Sequence, residues 1–119
     1  MRNEIEILAG PREWGDTRES WLSRVPKAVR KVLATEKETV SVRSVKALWY
    51  GEIDDPEHWA ARDIKRAAAV IEARKEARAL ADQYQSIIGG LRASDADFYS
   101  TEIARLERIA RILGGQDSA

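Results

Sequence analysis

Apolar positions recur at helical spacing along most of the chain, and the clearest case runs from Val40 to Gly51. At about 100° per residue, Val42, Val45, Leu48 and Trp49 gather on one side, while Arg43, Lys46, Ala47 and Tyr50 point away. Ser41 can take an orphan amide hydrogen as N-cap, and Gly51 can supply the left-handed residue that closes the helix. So short a helix is not stable alone. Neighbours must clamp its apolar side while its basic side stays free, as in a recognition helix.

Upstream, Asp16 or Thr17 caps a first helix carrying Trp21, Leu22 and Val25. Pro26 suits the first turn of a second helix, Lys27 to about Thr35, with Val29, Val32 and Leu33 inward. A polar connection, Thr35 to Thr39, leads into the 42–50 helix and completes a trihelical unit. Ahead of it, Ile5, Ile7 and Ala9 alternate imperfectly with Glu4, Glu6 and Leu8 until Gly10-Pro11 breaks the chain, which predicts a short edge strand or a loose arm. All four tryptophans, Trp14, Trp21, Trp49 and Trp59, fall in this front part. Their large area assigns them to its core, with Tyr50 as the exposed aromatic.

Downstream, Asp54-Asp55-Pro56-Glu57 is a helix start, with acids at the positive end of the dipole and proline in the first turn. No breaker follows until Gly89-Gly90, so residues 56–88 predict a helix of roughly 50 Å. A compact chain of this length has a radius of gyration of about 13 to 14 Å, so such a rod would project. Trp59, Ile64, Ala67, Ala68 and Ile71 would pack its first half on the trihelical unit. Val70, Ala77, Ala81, Tyr84 and Ile88 form a second stripe. Ser94-Asp95-Ala96-Asp97 caps a last helix to about Leu113, closed by Gly114-Gly115, with Tyr99, Ile103, Leu106, Ala110 and Leu113 spaced four and three apart. Bulky residues opposite alanines predict an antiparallel hairpin. Ile109 and Ile112 widen the apolar arc beyond one partner helix, which predicts a homodimer through Tyr99, Ile103, Leu106, Ile109, Ile112 and Leu113, with four helices at its centre.

The expected fold is therefore all-α. Residues 1–55 would be an arm and a helix-turn-helix-like unit; residues 56–119 would be a long helix and a C-terminal helix forming a dimerisation hairpin. Gln116 to Ala119 read as a frayed tail.

Charge refines this picture. The 119 residues carry 20 basic and 20 acidic side chains, so a globally basic coat for nucleic acid is excluded. From Arg18 to Gly51, however, eight basic residues face three acidic ones, and from Glu52 onward thirteen acidic residues outnumber ten basic. A positive front half suits phosphate, and an acidic rear half would orient it. No cysteine and a single histidine, His58, leave no thiolate or histidine metal site. No cofactor or small-molecule substrate is expected. There is no apolar run long enough for a membrane span and no leader-like start, so the cytoplasm is the default location. No phosphate-cradling glycine loop or nucleophile pair points to an enzyme. Asp54/Asp55 and Asp95/Asp97 read as helix caps, His58 as a solvated side chain, and Arg74, Lys75 and Arg78 with Glu72 and Glu76 as a salt-laced helix face.

Over about 40 residues, the trihelical unit with Ser41 to Gly51, then Glu52 and Pro56, resembles the helix-turn-helix DNA-binding regulators of bacteria and phages. "Val-Lys-Ala-Leu-Trp-Tyr-Gly-Glu" looks like small prophage and mobile-element regulators. The chain departs from that pattern at the connection: Thr39 stands where the family has glycine, Thr35 where it has alanine, and Glu38 at an apolar position. Either Glu36 to Thr39 is an enlarged turn or small hairpin, or the motif is not a true helix-turn-helix. The resemblance implies that helix 42–50 enters the major groove of double-stranded DNA. Arg43 would contact guanine, and Ser44, Lys46, Ala47 and Tyr50 would contact nearby bases or phosphate. Lys27, Arg30 and Lys31 would grip phosphates. A transcriptional regulator is the leading expectation. The alternatives are a helical protein-protein adaptor of antitoxin or anti-activator type, and a phage packaging component.

Overall fold

A computed structural model describes residues 1–115 of the chain, and the tail from Gln116 lies outside the described residues. Every regular element among them is an α-helix: α1 (Arg2–Ala9), α2 (Arg18–Leu22), α3 (Arg24–Leu33), α4 (Val42–Trp49), α5 (Trp59–Asp95) and α6 (Ser100–Leu113). Contacts divide the chain into two units, Met1–Ile71 and Glu72–Ala119. The division falls within α5, not ahead of it at residues 55 and 56.

The first unit holds four short helices plus the start of α5. The expected strand or arm at the N-terminus is a helix, because Ile5, Leu8 and Ala9 share one face at i, i+3 and i+4 and all three are buried. Gly10, at φ 75°, closes it and donates its amide to the Glu6 carbonyl at 3.0 Å. Thr17 and Ser20 cap α2 reciprocally: the Ser20 amide reaches Thr17 Oγ1 at 3.1 Å and the Thr17 amide reaches Ser20 Oγ at 3.0 Å. α3 begins at Arg24, earlier than the expected Lys27. Pro26 fits inside the first turn, where its missing N–H leaves no bond unmade, and it is buried. α3 packs against α1, α2 and α4.

One core serves this unit. Ile5, Leu22, Val25, Val29, Val40 and Val45 are within a percent of full burial, and Ala60, Ala61, Ile64, Ala67 and Ala68 of α5 join the same cluster. Of the four tryptophans only two belong to it: Trp21 and Trp49 meet edge to face, with ring centroids 5.2 Å apart. Trp14 and Trp59 are exposed, correcting the expectation from size alone. Trp59 stacks on His58 instead, at 5.5 Å. His58 Nδ1 also accepts the Ala60 amide at 3.2 Å, so this histidine takes part in the start of α5.

In the second unit, α5 and α6 form an antiparallel hairpin. Arg74, Ala77 and Arg78 line one cavity with Ile112 and Leu113, and Gln85 lines another with Glu107 and Ala110. Ala81, Ile88, Ile103 and Ala110 are its buried residues. Gly89-Gly90 does not stop α5, contrary to expectation: the helix continues to Asp95, with Leu91 half-buried and Arg92 ion-paired to Glu107 of α6. The turn forms later, where Asp95 Oδ1 accepts the Phe98 amide at 3.1 Å. α6 therefore starts at Ser100, later than the Ser94 to Asp97 cap implied.

Candidate nucleic-acid interface

The 42–50 segment folds as its pattern requires. Ser41, in extended conformation, accepts the Ser44 amide at 3.1 Å. Gly51, at φ 76°, carries the chain out of the helix. The Glu52 and Ile53 amides then donate to the Ala47 carbonyl at 2.8 and 3.2 Å. Val45, Leu48 and Trp49 face the core. Arg43 and Tyr50, seven residues and about 20° apart on the helix, lie open, with Tyr50 55% exposed.

The remaining α4 positions are less available. Lys46 is half-buried and ion-paired to Glu19 of α2. Its hydrogen bond and charge hold the Glu19 carboxyl below the usual range. Ser44 Oγ accepts a hydrogen bond from Ser41 Oγ at 3.0 Å, and both Ser44 and Ala47 are half-buried. Of the two cations on this face, only Arg43 is exposed and without a hydrogen bond or ion pair among the described residues.

Trp49 anchors the opposite side. Its carbonyl accepts Arg2 Nε at 3.0 Å, and the Arg2 and Arg18 guanidiniums lie 4.7 and 5.5 Å from its ring centroid. Its own indole N–H finds no acceptor among the described residues. These contacts fix the rotation of α4 about its axis, and so the direction in which Arg43 projects.

α3 contributes a second cationic row. Lys27, Arg30 and Lys31 are exposed on one face opposite the buried Val25 and Val29, and α3 contains no acidic residue. Like charges at i, i+3 and i+4 cost a helix a few tenths of a kcal/mol per pair. An approaching polyanion would relieve that repulsion.

The connection between α3 and α4 spans residues 34–41. It is longer than the three to four residues of a tight helix-turn-helix turn. Its left-handed residue is Ala34, at φ 57°, and Thr39 is exposed. Thr35 Oγ1 donates to the Lys37 carbonyl at 2.8 Å, and Val40 drops into the core to start α4. An eight-residue loop with no regular element of its own thus joins α3 to α4.

The residues expected at a dimer interface divide. Ile103 is buried inside the hairpin, Tyr99, Leu106, Ile109 and Leu113 are half-buried, and Ile112 is 61% exposed. No group of three or more metal-ligating side chains occurs among the described residues. No described helix is long and apolar enough to cross a membrane. Compared with known protein families, curated proteins and solved structures, the chain has no match.

Proposed function

We propose that the chain is a sequence-specific DNA-binding regulator acting as a homodimer, with α4 in the major groove. The observation that carries this reading is the open Arg43 on a helix whose opposite side is clamped, beside a packed helix whose exposed row is wholly basic. Arg43 would make the bidentate guanine contact. Lys27, Arg30 and Lys31 would grip phosphates. Lys46 is better assigned to holding α2 against α4 through Glu19 than to reading a base, and Ser44 to the helix cap.

Fluorescence anisotropy with genomic fragments, including the promoter beside the protein's own gene, at two salt concentrations tests the proposal. Arg43→Ala is expected to weaken selective binding by about 1 to 3 kcal/mol. Lys31→Ala is expected to weaken binding to every sequence and to flatten the salt dependence by about one unit of slope. Equal losses on selected and random DNA for Arg43→Ala would remove base readout.

A second reading, a helical adaptor, is favoured by the apolar side chains left in solvent on the hairpin, Leu80, Ile87 and Ile112. Absence of any DNA binding at low salt would promote it.

A further inference from the structure

Trp14 is 103% exposed. A lone apolar side chain in solvent needs no explanation, but this one stands at the tip of a braced loop. The Gly10 carbonyl accepts Trp21 Nε1 at 2.8 Å, and the Pro11 carbonyl accepts Arg24 at 3.4 Å. Arg24 also grips both Asp16 carboxylate oxygens at 2.8 and 2.7 Å. Asp16 in turn accepts the Glu13 amide at 2.7 Å, and its own amide donates to the Glu13 carbonyl at 3.0 Å, closing the turn that displays Trp14 and Gly15. A loop backbone braced this way loses little further freedom on docking, so only the indole's own side-chain torsions remain to be fixed.

Beside the loop lies a groove of about 450 Å³ whose lining includes Pro11, Arg12, Arg18, Trp21 and Trp49. The groove is shallow and open to solvent, with Trp21 and Trp49 at its floor largely buried, so an indole would lie across it and not be enclosed by it. Two guanidiniums border it, and a guanidinium favours the electron-rich face of an aromatic ring. Arg18 already lies 5.5 Å from the Trp49 ring centroid.

We propose that loop and groove form a self-complementary contact between two copies of the chain, with Trp14 of each seated in the groove of the other. The patch carries both signs of charge, since exposed Arg12 and Arg18 stand near exposed Glu6 and Glu13. A second copy satisfies such a patch, whereas a polyanion meets repulsion from the carboxylates. Probe and receptor are adjacent on one protomer, so a single twofold axis fills both grooves of one pair. On α4, Arg43 lies six residues and about 120° around the axis from Trp49, so it is not part of the groove. Two indoles of about 150 to 250 Å² each, with the groove walls, fall below the roughly 1,200 Å² of a standard interface. The association is therefore weak and reversible.

Sedimentation velocity of the full chain, from micromolar to near-millimolar concentration, tests this. The wild type is expected to show a mass that rises with concentration. Trp14→Ala should weaken that step at least tenfold, on the order of an interface hot spot, with helix content unchanged by circular dichroism. Glu13→Arg should weaken it as well, and the double variant Glu13→Arg/Arg18→Glu should recover part of the loss. Association by Trp14→Ala indistinguishable from wild type, or a wild type that stays monomeric throughout, would overturn the contact. So would a Trp14 that docks only on nucleic acid or on a different protein.

Discussion

At the scale of single residues, Asp16 ties the loop before α2 to Arg24 of α3. Its carboxylate accepts a backbone amide from Glu13, and both its oxygens accept from Arg24 Nη2. The Glu13 amide first, and then Arg24, hold its pKa below the ordinary carboxylate value against the opposing effect of burial. A folded-state pKa below the unfolded one means that the stabilisation is complete above the unfolded value, about 4, and is lost as pH falls through the folded value. Asp16→Asn is therefore expected to lower the melting temperature near neutrality and to flatten its decline below about pH 4. A variant whose acid limb parallels the wild type would show that the carboxylate contributes nothing to that limb. Little of this was legible beforehand. Asp16 was readable as a helix cap, but Arg24 lies eight positions away and Lys46 lies 27 from Glu19, and no local pattern announces such pairs. Trp14 was misplaced for a related reason: size argues for burial, but whether a loop tip turns inward depends on the bonds that brace it.

At the scale of elements, the sequence was most legible where a cap and an apolar face agreed. Ser41, Val45, Leu48 and Gly51 placed α4 to within a residue, and Thr17 placed the start of α2. It failed where a single residue type was read as a stop. Gly89-Gly90 costs the helix roughly 1 kcal/mol per glycine relative to alanine, but Leu91 and the Arg92–Glu107 pair lie beyond it, and their contacts carry α5 through to Asp95. The α1 segment was misread because a half-buried Ile7 mimics strand alternation, while Ile5, Leu8 and Ala9 hold the helical face. Both glycines have open space where a Cβ would stand. Gly89→Ala and Gly90→Ala are each expected to raise stability by about 0.5 to 1 kcal/mol in thermal or denaturant unfolding. Ala34 offers the converse test, since it holds a left-handed conformation that costs a non-glycine residue about 1 to 2 kcal/mol. Ala34→Gly should recover part of that; a loss of stability at any of these three positions would mean that the local backbone preference is outweighed.

At the scale of the whole molecule, each unit is nearly neutral, with 13 basic and 12 acidic side chains in residues 1–71. On the proposed reading, attraction to DNA must then come from how charge is arranged. Carboxylates at 16 and 19 are occupied by internal partners, while Lys27, Arg30, Lys31 and Arg43 are left to solvent. Such an arrangement gives a modest field, and a single unit would bind weakly. Two such units on one symmetric dimer would raise the effective concentration of the second contact and would favour an inverted repeat with half-sites about 34 Å, or a multiple of it, apart. On the proposed reading the hairpin supplies that dimer, and Ile112, in solvent at 61%, is the residue through which to test it without disturbing the buried Ile103. Ile112→Lys is expected to shift the hairpin-mediated dimer toward monomer in sedimentation, and to lower affinity for an inverted repeat at least tenfold while leaving affinity for an isolated half-site within about twofold. Combined with Trp14→Ala, it should leave a monomer at every concentration, whereas either change alone preserves one mode of association. If Ile112→Lys leaves the preference for the inverted repeat over the half-site intact, the hairpin does not join the two reading units.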